Sequence, residues 1–304
     1  MGTLVRFAPE LAGWLNRQLE QGMAPLRLRA TLQAQGMPVP AAQAIVDAFV
    51  AARQGRRSPP IDVVEIADDA PPADDAPYLP AARHLVADER RVDVLARLQS
   101  PTLALLSGVL DAEECAALIA MARPRLLPST IVDPKTGRDV VSAERSSDGM
   151  FFRPAENPLI ERIDRRLAAL MQLPIENGEG LQILRYTAGA ASAPHFDFLD
   201  LGSAASRASI ARSGQRVSTL VCYLNDVQAG GDTVFPALGW SVAPQRGNAV
   251  YFEYCSRSGR VDPRTLHAGG RVLAGEKWVA TKWMRQRRFV SADGVSMRAQ
   301  WHDR

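Results

Sequence analysis

Four histidines occur in the chain, and two of them stand in segments whose residue types could do chemistry. His195 belongs to Pro194-His195-Phe196-Asp197, and His267 closes Asp262-Pro263-Arg264-Thr265-Leu266-His267. Residues i and i+2 of a strand project to the same face, so His195 and Asp197 can hold one metal ion together, and an imidazole from a distant strand completes a facial set. Two neutral nitrogens and one carboxylate leave three positions open on Fe(II), where a keto acid and dioxygen can bind. Taken alone, His-x-Asp also reads as a strand-end pair satisfied by hydrogen bonds. Lys277, ten residues after His267, pairs with a carboxylate ligand if its strand position faces inward, and is a solvated lysine if it does not.

The elements that must position these residues follow from periodicity. From Phe7 to Arg53 apolar residues recur at three and four, predicting three short helices ended by Gly22 and Gly36, with Pro40 in the first turn of the third. Residues 55–80 carry six prolines and the acids Asp62, Glu65, Asp68, Asp69, Asp74 and Asp75, which read as an extended linker. A helix is expected over 81–98. Next come a short strand, a helix capped by Asp111 with Glu114 three residues on, and a further helix over 157–172. From about residue 180 the apolar runs shorten to LQILRY, VSTLVCYL, GNAVYFEY and WVATKWM, the mark of antiparallel β-structure in a sandwich or jelly roll. Residues 199–215, rich in Ala, Ser and Arg, read as a loop that could serve as a mobile lid. Gly230-Gly231 reads as turn chemistry, and Cys222, inside an apolar strand, as a buried small hydrophobe.

The 304 residues carry a net charge of +3, too small a surplus to indicate a nucleic-acid partner. Cys115, Cys222 and Cys255 are too far apart for a zinc ribbon or a disulfide framework. Arg6, Glu10, Asn16 and Arg17 interrupt the first apolar residues, so no signal peptide is expected, and no run approaches the ~18 apolar residues of a membrane span. A reduced, cytoplasmic protein with no membrane association is the expectation.

Several motifs in fixed order carry a family resemblance. LQILRYTAGAASAPHFDF, then RVSTLVCYLNDVQAGGDTVFP, then PQRGNAVYFEY with DPRTLHAGGRVLAGEKWVATKW resemble, over roughly residues 100–290, the iron(II)- and 2-oxoglutarate-dependent prolyl 4-hydroxylases, in particular bacterial, collagen-type catalytic domains. The resemblance implies a mainly β fold with flanking helices, a double-stranded β-helix (jelly roll) dioxygenase core over 81–292. A small helical module over 1–54, the Pro/Asp-rich linker over 55–80 and a tail over 293–304 lie outside it.

It also implies His195, Asp197 and His267 as iron ligands, and Lys277 as the holder of the distal carboxylate of 2-oxoglutarate, with Tyr186 and Thr219 as hydrogen-bond partners. Arg145 and Ser147, in Glu144-Arg145-Ser146-Ser147, resemble a substrate-binding pair, and Trp283 an aromatic floor beneath a peptide. The residues themselves leave Tyr186 and Trp283 open to a core role, and Arg145 to that of a solvated loop charge.

The implied reaction hydroxylates a prolyl residue of a peptide or protein and releases succinate and CO2. O2 is a cosubstrate and ascorbate a reductant. The presence of Asp197 favours hydroxylation over halogenation. A free amino acid or other small molecule as substrate, and a non-catalytic binding module with a retained barrel, are the alternatives. The helical module is read as packing or as a homodimer contact, its target not encoded in the pattern.

Overall fold

The computed structural model describes residues 3–55, 57–66, 76–88, 90–128, 130–132, 139–141 and 146–291. The chain divides into two compact units, Met1–Asp75 with Asp200–Ser206, and Ala76–Leu199 with Arg207–Arg304. The first contains β1 (Thr3–Arg6), α1 (Pro9–Glu20), α2 (Pro25–Ala34), α3 (Val39–Gln54) and β2 (Val63–Ile66). Prolines occupy the first turn of all three helices, where a missing N–H has no intrahelical partner to lose. Gly22 and Gly36 follow the first two helices at φ of 83° and 89°, left-handed backbone that glycine adopts at least cost. Leu15, Leu28, Leu32, Ile45 and Phe49 make the core.

The expected linker is therefore shorter than its prolines suggest. Val63–Ile66 pairs antiparallel with Thr3–Arg6, and Val64 joins the helical core. Three β-branched residues in four favour a strand there, although prolines and acids flank them. The rest of the acidic stretch, 67–75, and the tail expected over 293–304 lie outside the described residues.

The second unit opens with a correction. Where a helix is expected over 81–98, a hairpin stands, β3 (His84–Ala87) and β4 (Arg90–Gln99), with Asp88 in its turn at φ 51°. β4 pairs with β5 (Thr102–Ser107) from Asp93↔Ser107 to Gln99↔Thr102, and Leu85, Ala87 and Val92 enter the core. The helix preference of Ala, Arg and Leu is a few tenths of a kcal/mol per residue, and pairing onto an existing sheet overrides it. α4 (Ala112–Ala122) begins with the expected reciprocal cap: Glu114 N donates to Asp111 Oδ1 at 2.7 Å and Asp111 N to Glu114 Oε2 at 3.1 Å. Short strands β6 (Leu127–Pro128), β7 (Thr130–Val132) and β8 (Asp139–Val141) precede β9 (Asp148–Phe152). α5 (Pro158–Leu170) then starts at Asn157, whose Oδ1 accepts from Leu159 N and Ile160 N.

After β10 (Leu181–Tyr186) and β11 (Ser192–His195) comes a second correction. The expected loop over 199–215 contains a ten-residue helix, α6 (Ala204–Ser213). Alanine is the best helix former, and arginine side chains close the helix's far end: Arg287 Nη2 donates to Ile210 O and Ala211 O, and Arg285 Nη2 to Ser209 O.

The remaining strands are β12 (Arg216–Tyr223), β13 (Ala229–Gly230), β14 (Thr233–Phe235), β15 (Trp240–Val242), β16 (Ala249–Glu253), β17 (His267–Gly269), β18 (Val272–Ala274) and β19 (Lys277–Arg285). Nine strands form one sheet in the order β3-β4-β5-β16-β12-β19-β10-β9-β6, and four form another, β11-β17-β14-β15. Every residue of β19 is buried, so both faces of the large sheet are covered at its centre. Trp278, Ala280 and Met284 pack with Leu118 of α4 and Ile160, Ile163 and Leu167 of α5. Lys277, Val279, Thr281 and Trp283, on the opposite face, line a cavity shared with the small sheet. The expected mainly β, jelly-roll architecture with flanking helices is what the second unit shows. Among the described residues no helix is long and apolar enough to cross a membrane.

Candidate metal centre and active site

His195 ends β11 and His267 begins β17, and the two are direct cross-strand partners with ring centroids 4.4 Å apart. A short 3-10 turn, Pro263–Thr265, capped by Asp262, delivers His267 to its strand. Asp197 lies beyond the end of β11, in a bend, so it converges with His195 through that bend and not by the strand alternation expected from the spacing. His195 Nε2 stands 3.7 Å from Asp197 Oδ1, and His267 Nε2 stands 3.7 Å from Asp197 Oδ2. One ligand atom from each of the three residues lies within 4.8 Å of the other two. The two 3.7 Å separations exceed hydrogen-bond length, so no shared proton accounts for them.

The donor chemistry fits a divalent ion. Each imidazole turns Nδ1 to a backbone carbonyl, His195 to Ala193 O at 2.9 Å and His267 to Thr265 O at 3.1 Å. Those contacts place the ring proton on Nδ1 and leave an Nε2 lone pair facing Asp197. Burial pushes His267 down to about 4, so its imidazole is neutral near pH 7. Burial also opposes the charge of Asp197, but His267 and His195 in their protonated forms at acid pH, then Arg216 and the Thr219 hydroxyl, outweigh it and hold the carboxyl below its usual range. Two imidazole nitrogens and one carboxylate are a donor set that can hold a divalent ion, and with open positions the set is typical of non-haem Fe(II) oxygenases.

Behind the carboxylate, Thr219 Oγ1 donates to Asp197 Oδ2 at 2.6 Å. The Tyr254 hydroxyl lies 3.0 Å from the same Oγ1 and, with the threonine proton committed, donates to it. Thr219 was expected to contact 2-oxoglutarate. Instead its hydroxyl is spent on the aspartate, and it is not among the side chains lining the cavity.

A small cavity of about 50 Å³ lies between Gln182, Leu184 and Tyr186 of β10, His195, Asp197 and His267, and the inward residues of β19. Lys277 faces inward, only 4% exposed, opposite Tyr186 in the β10–β19 register. Its ammonium donates to Gly231 O and lies 5.8 and 5.6 Å from the Tyr186 and Tyr223 ring centroids. Burial pushes it down to about 8, with Asp232 opposing the shift. The glycine pair serves that contact. Gly230 and Gly231 take φ of 73° and 78°, and a Cβ on Gly230 would stand 2.3 Å from Arg271 O.

Trp283 lines the same cavity, and its indole N–H is buried with no hydrogen-bond partner. Ser147 is buried but is not among the lining side chains, and Arg145 lies outside the described residues. Reading the sequence alone misses the charges behind the site, the buried Glu179 and Arg285 and the half-buried Arg216. Their signal was present, since a charged residue at the edge of an apolar strand is rarely buried without a partner.

Comparison with known proteins agrees with this geometry. The description of the 2OG-Fe(II) oxygenase superfamily matches residues 181–285, from the start of β10 to the end of β19. Prolyl 4-hydroxylase 1 of Arabidopsis thaliana is 44% identical over 203 residues, 62% of this chain and 70% of that protein. The chain belongs to the prolyl 4-hydroxylase family. Another member, prolyl 4-hydroxylase 5 of the same plant, is 36% identical over 221 residues, 66% of this chain and 73% of the relative. Among solved structures, the viral collagen prolyl hydroxylase of Paramecium Bursaria Chlorella virus-1 aligns at TM-score 0.48 and 27% identity, covering 60% of this chain and 95% of that one. Membership makes the chain a 2-oxoglutarate-dependent dioxygenase, whose family requires Fe(II), 2-oxoglutarate and O2.

Proposed function

We propose that the chain hydroxylates prolyl residues of a peptide or protein, with His195, Asp197 and His267 holding Fe(II) and Lys277 receiving the distal carboxylate of 2-oxoglutarate. One observation carries the reading: two Nε2 lone pairs and a carboxylate converge at a cavity that also contains a deeply buried ammonium whose only side-chain or backbone hydrogen bond described is to a carbonyl. A buried cation without a bonded anion is costly, and a carboxylate ligand relieves that cost. When bound, the iron supplies the oxidising chemistry, coupling decarboxylation of the keto acid to C–H hydroxylation.

The protein's own residues bind, orient and exclude water. Carbonyls of Ala193 and Thr265 fix both imidazole tautomers, and Thr219 keeps the Asp197 carboxylate aimed. Lys277 and Tyr186 fix one end of the cosubstrate, and the apolar side chains of Leu184 and Val279 keep that end dry. Trp283 offers a flat wall for a prolyl ring. Ascorbate is the reductant proposed to sustain turnover.

Titration of proline-containing peptides and of free proline against the full chain, with Fe(II), 2-oxoglutarate and ascorbate, tests this. The expected result is succinate release stimulated by peptide, with one oxygen atom gained per prolyl residue by mass spectrometry. Stimulation by free proline alone would move the substrate to a small molecule. Absence of succinate under every condition would make the barrel a binding module.

A further inference from the structure

Behind the cavity, one guanidinium touches three separate parts of the site. Arg216, at the start of β12, donates from Nε to Glu179 Oε1 at 2.7 Å and from Nη2 to Glu179 Oε2 at 2.8 Å. Its Nη1 donates to the backbone carbonyl of Asp197 at 3.3 Å. Its carbon lies 4.3 Å from the centre of the Trp283 ring. Glu179 is held in turn: Arg285 Nη1 donates to it at 2.9 Å, and its own N–H donates to Trp283 O at 3.0 Å. Next to Arg216, Gln215 clamps Leu199 from both sides, accepting from Leu199 N at 2.7 Å and donating to Leu199 O at 2.9 Å. The bend that carries Asp197 is thus tied to the first residues of β12.

The Trp283 backbone is fixed by its pairing with Thr219 and by the Glu179 N–H, but among the described residues its side chain makes no hydrogen bond and the Asp197 main chain shows none besides that from Arg216. The indole N–H is unbonded, and the nearest described aromatic, Phe151, is 6.4 Å away by ring centroids and half exposed. A guanidinium locked by a bidentate carboxylate is a rigid plane, so a ring stacked on it and a carbonyl bonded to it are held at one separation. Lysine offers no plane and no fork.

Resting on the reading above, we propose that Arg216 is a positioning residue that sets the Trp283 wall relative to Asp197, so that a bound prolyl ring is presented to the metal centre and cosubstrate consumption stays coupled to hydroxylation. A displacement on the order of 1 Å between substrate and reacting centre is enough to cost one to two powers of ten in productive turnover.

The test uses the full chain and its Arg216→Lys, Trp283→Phe, Trp283→Leu, combined Arg216→Lys/Trp283→Phe and combined Arg216→Lys/Trp283→Leu variants. In metal-free protein, acrylamide quenching assigned to Trp283, as the difference between the parent chain and Trp283→Phe, should rise severalfold in Arg216→Lys relative to the same variant with Trp283→Phe. In the loaded enzyme, Arg216→Lys should raise the peptide KM and lower the molar ratio of hydroxyprolyl product to succinate by on the order of tenfold. Trp283→Leu should lower that ratio without touching Arg216, and adding Arg216→Lys to it should change the ratio little further, because both act through one contact. Unchanged quenching and an unchanged ratio in Arg216→Lys overturn the proposal, as do fully additive effects. If Arg216→Lys does not fold, an unaltered ratio in Trp283→Leu overturns it. Should the parent chain release succinate yet hydroxylate no peptide, the prolyl reading fails, and the quenching comparison still decides whether Arg216 holds Trp283.

Discussion

Lys277 shows how one buried side chain ties function to pH. Its ammonium is pushed down to about 8 from an ordinary 10.5, so the free enzyme loses this proton as pH rises through about 8. Only the protonated form attracts a carboxylate, so the KM for 2-oxoglutarate should climb above that pH by about tenfold per unit, while kcat changes less. Stability moves the other way. Between about 8 and 10.5 the unfolded chain binds more protons at this residue than the folded one, so folding should become more favourable across that window as a buried charge is neutralised. Lys277→Met should remove both trends, read by initial-rate titrations and by urea unfolding from pH 7 to 10. Thr219→Val tests the aspartate's support. Losing the 2.6 Å donor should weaken Fe(II) binding by about 10–100-fold, measured by metal titration, with little change in unfolding midpoint.

At the scale of elements, α4 and α5 are joined by a buried charge pair. Arg166 donates to Glu114 from Nη1 at 2.7 Å and Nη2 at 2.9 Å, and its Nη1 also reaches Val109 O. Burial opposes the charge of Glu114, but Arg166 and the Asp111 amide outweigh it and hold the carboxyl low. Arg166→Met strands that carboxylate, which costs about 3–5 kcal/mol when no other cation is near. Arg90 and Arg162, each 3.5 Å from Glu114, should keep the loss near the lower bound. Adding Glu114→Leu to Arg166→Met should recover part of it in urea unfolding.

What could be read in advance follows the same physics. Repeats of three and four located α1 to α3, the Asp111 cap located α4 and a recurring helical pattern located α5, because those signals are local. The β3–β4 hairpin was not legible, since its Ala, Leu and Arg residues favour a helix until β5 offers a hydrogen-bonding edge. α6 was hidden in a small-residue run whose end is closed by Arg285 and Arg287 from the far end of the chain. The cluster of His195, Asp197 and His267 was legible by type and spacing, but the Thr219 contact and the Arg216 fork depend on partners that only the folded chain brings near.

At the scale of the molecule, every described member of the site lies in the unit that starts at Ala76. Glu253 anchors the beginning of that unit, accepting from Tyr78 N at 3.1 Å and Leu79 N at 2.8 Å. A chain beginning at Ala76 should therefore fold and bind Fe(II) with an affinity within about threefold of the full chain; a larger loss, read by the same titration, would assign the N-terminal unit a part in forming the site. The nine buried residues of β19 carry a further consequence. Because alternate side chains serve different neighbours, inserting or deleting one residue near Gly275 would exchange the two sets at a stroke, bringing Trp278 and Lys282 to the substrate and sending Lys277 against the helices. Natural or laboratory variation in this strand should thus tolerate replacement far better than any change in length. Exchanges at odd-numbered positions should alter which molecules are accepted, and those at even-numbered positions how firmly the domain holds together.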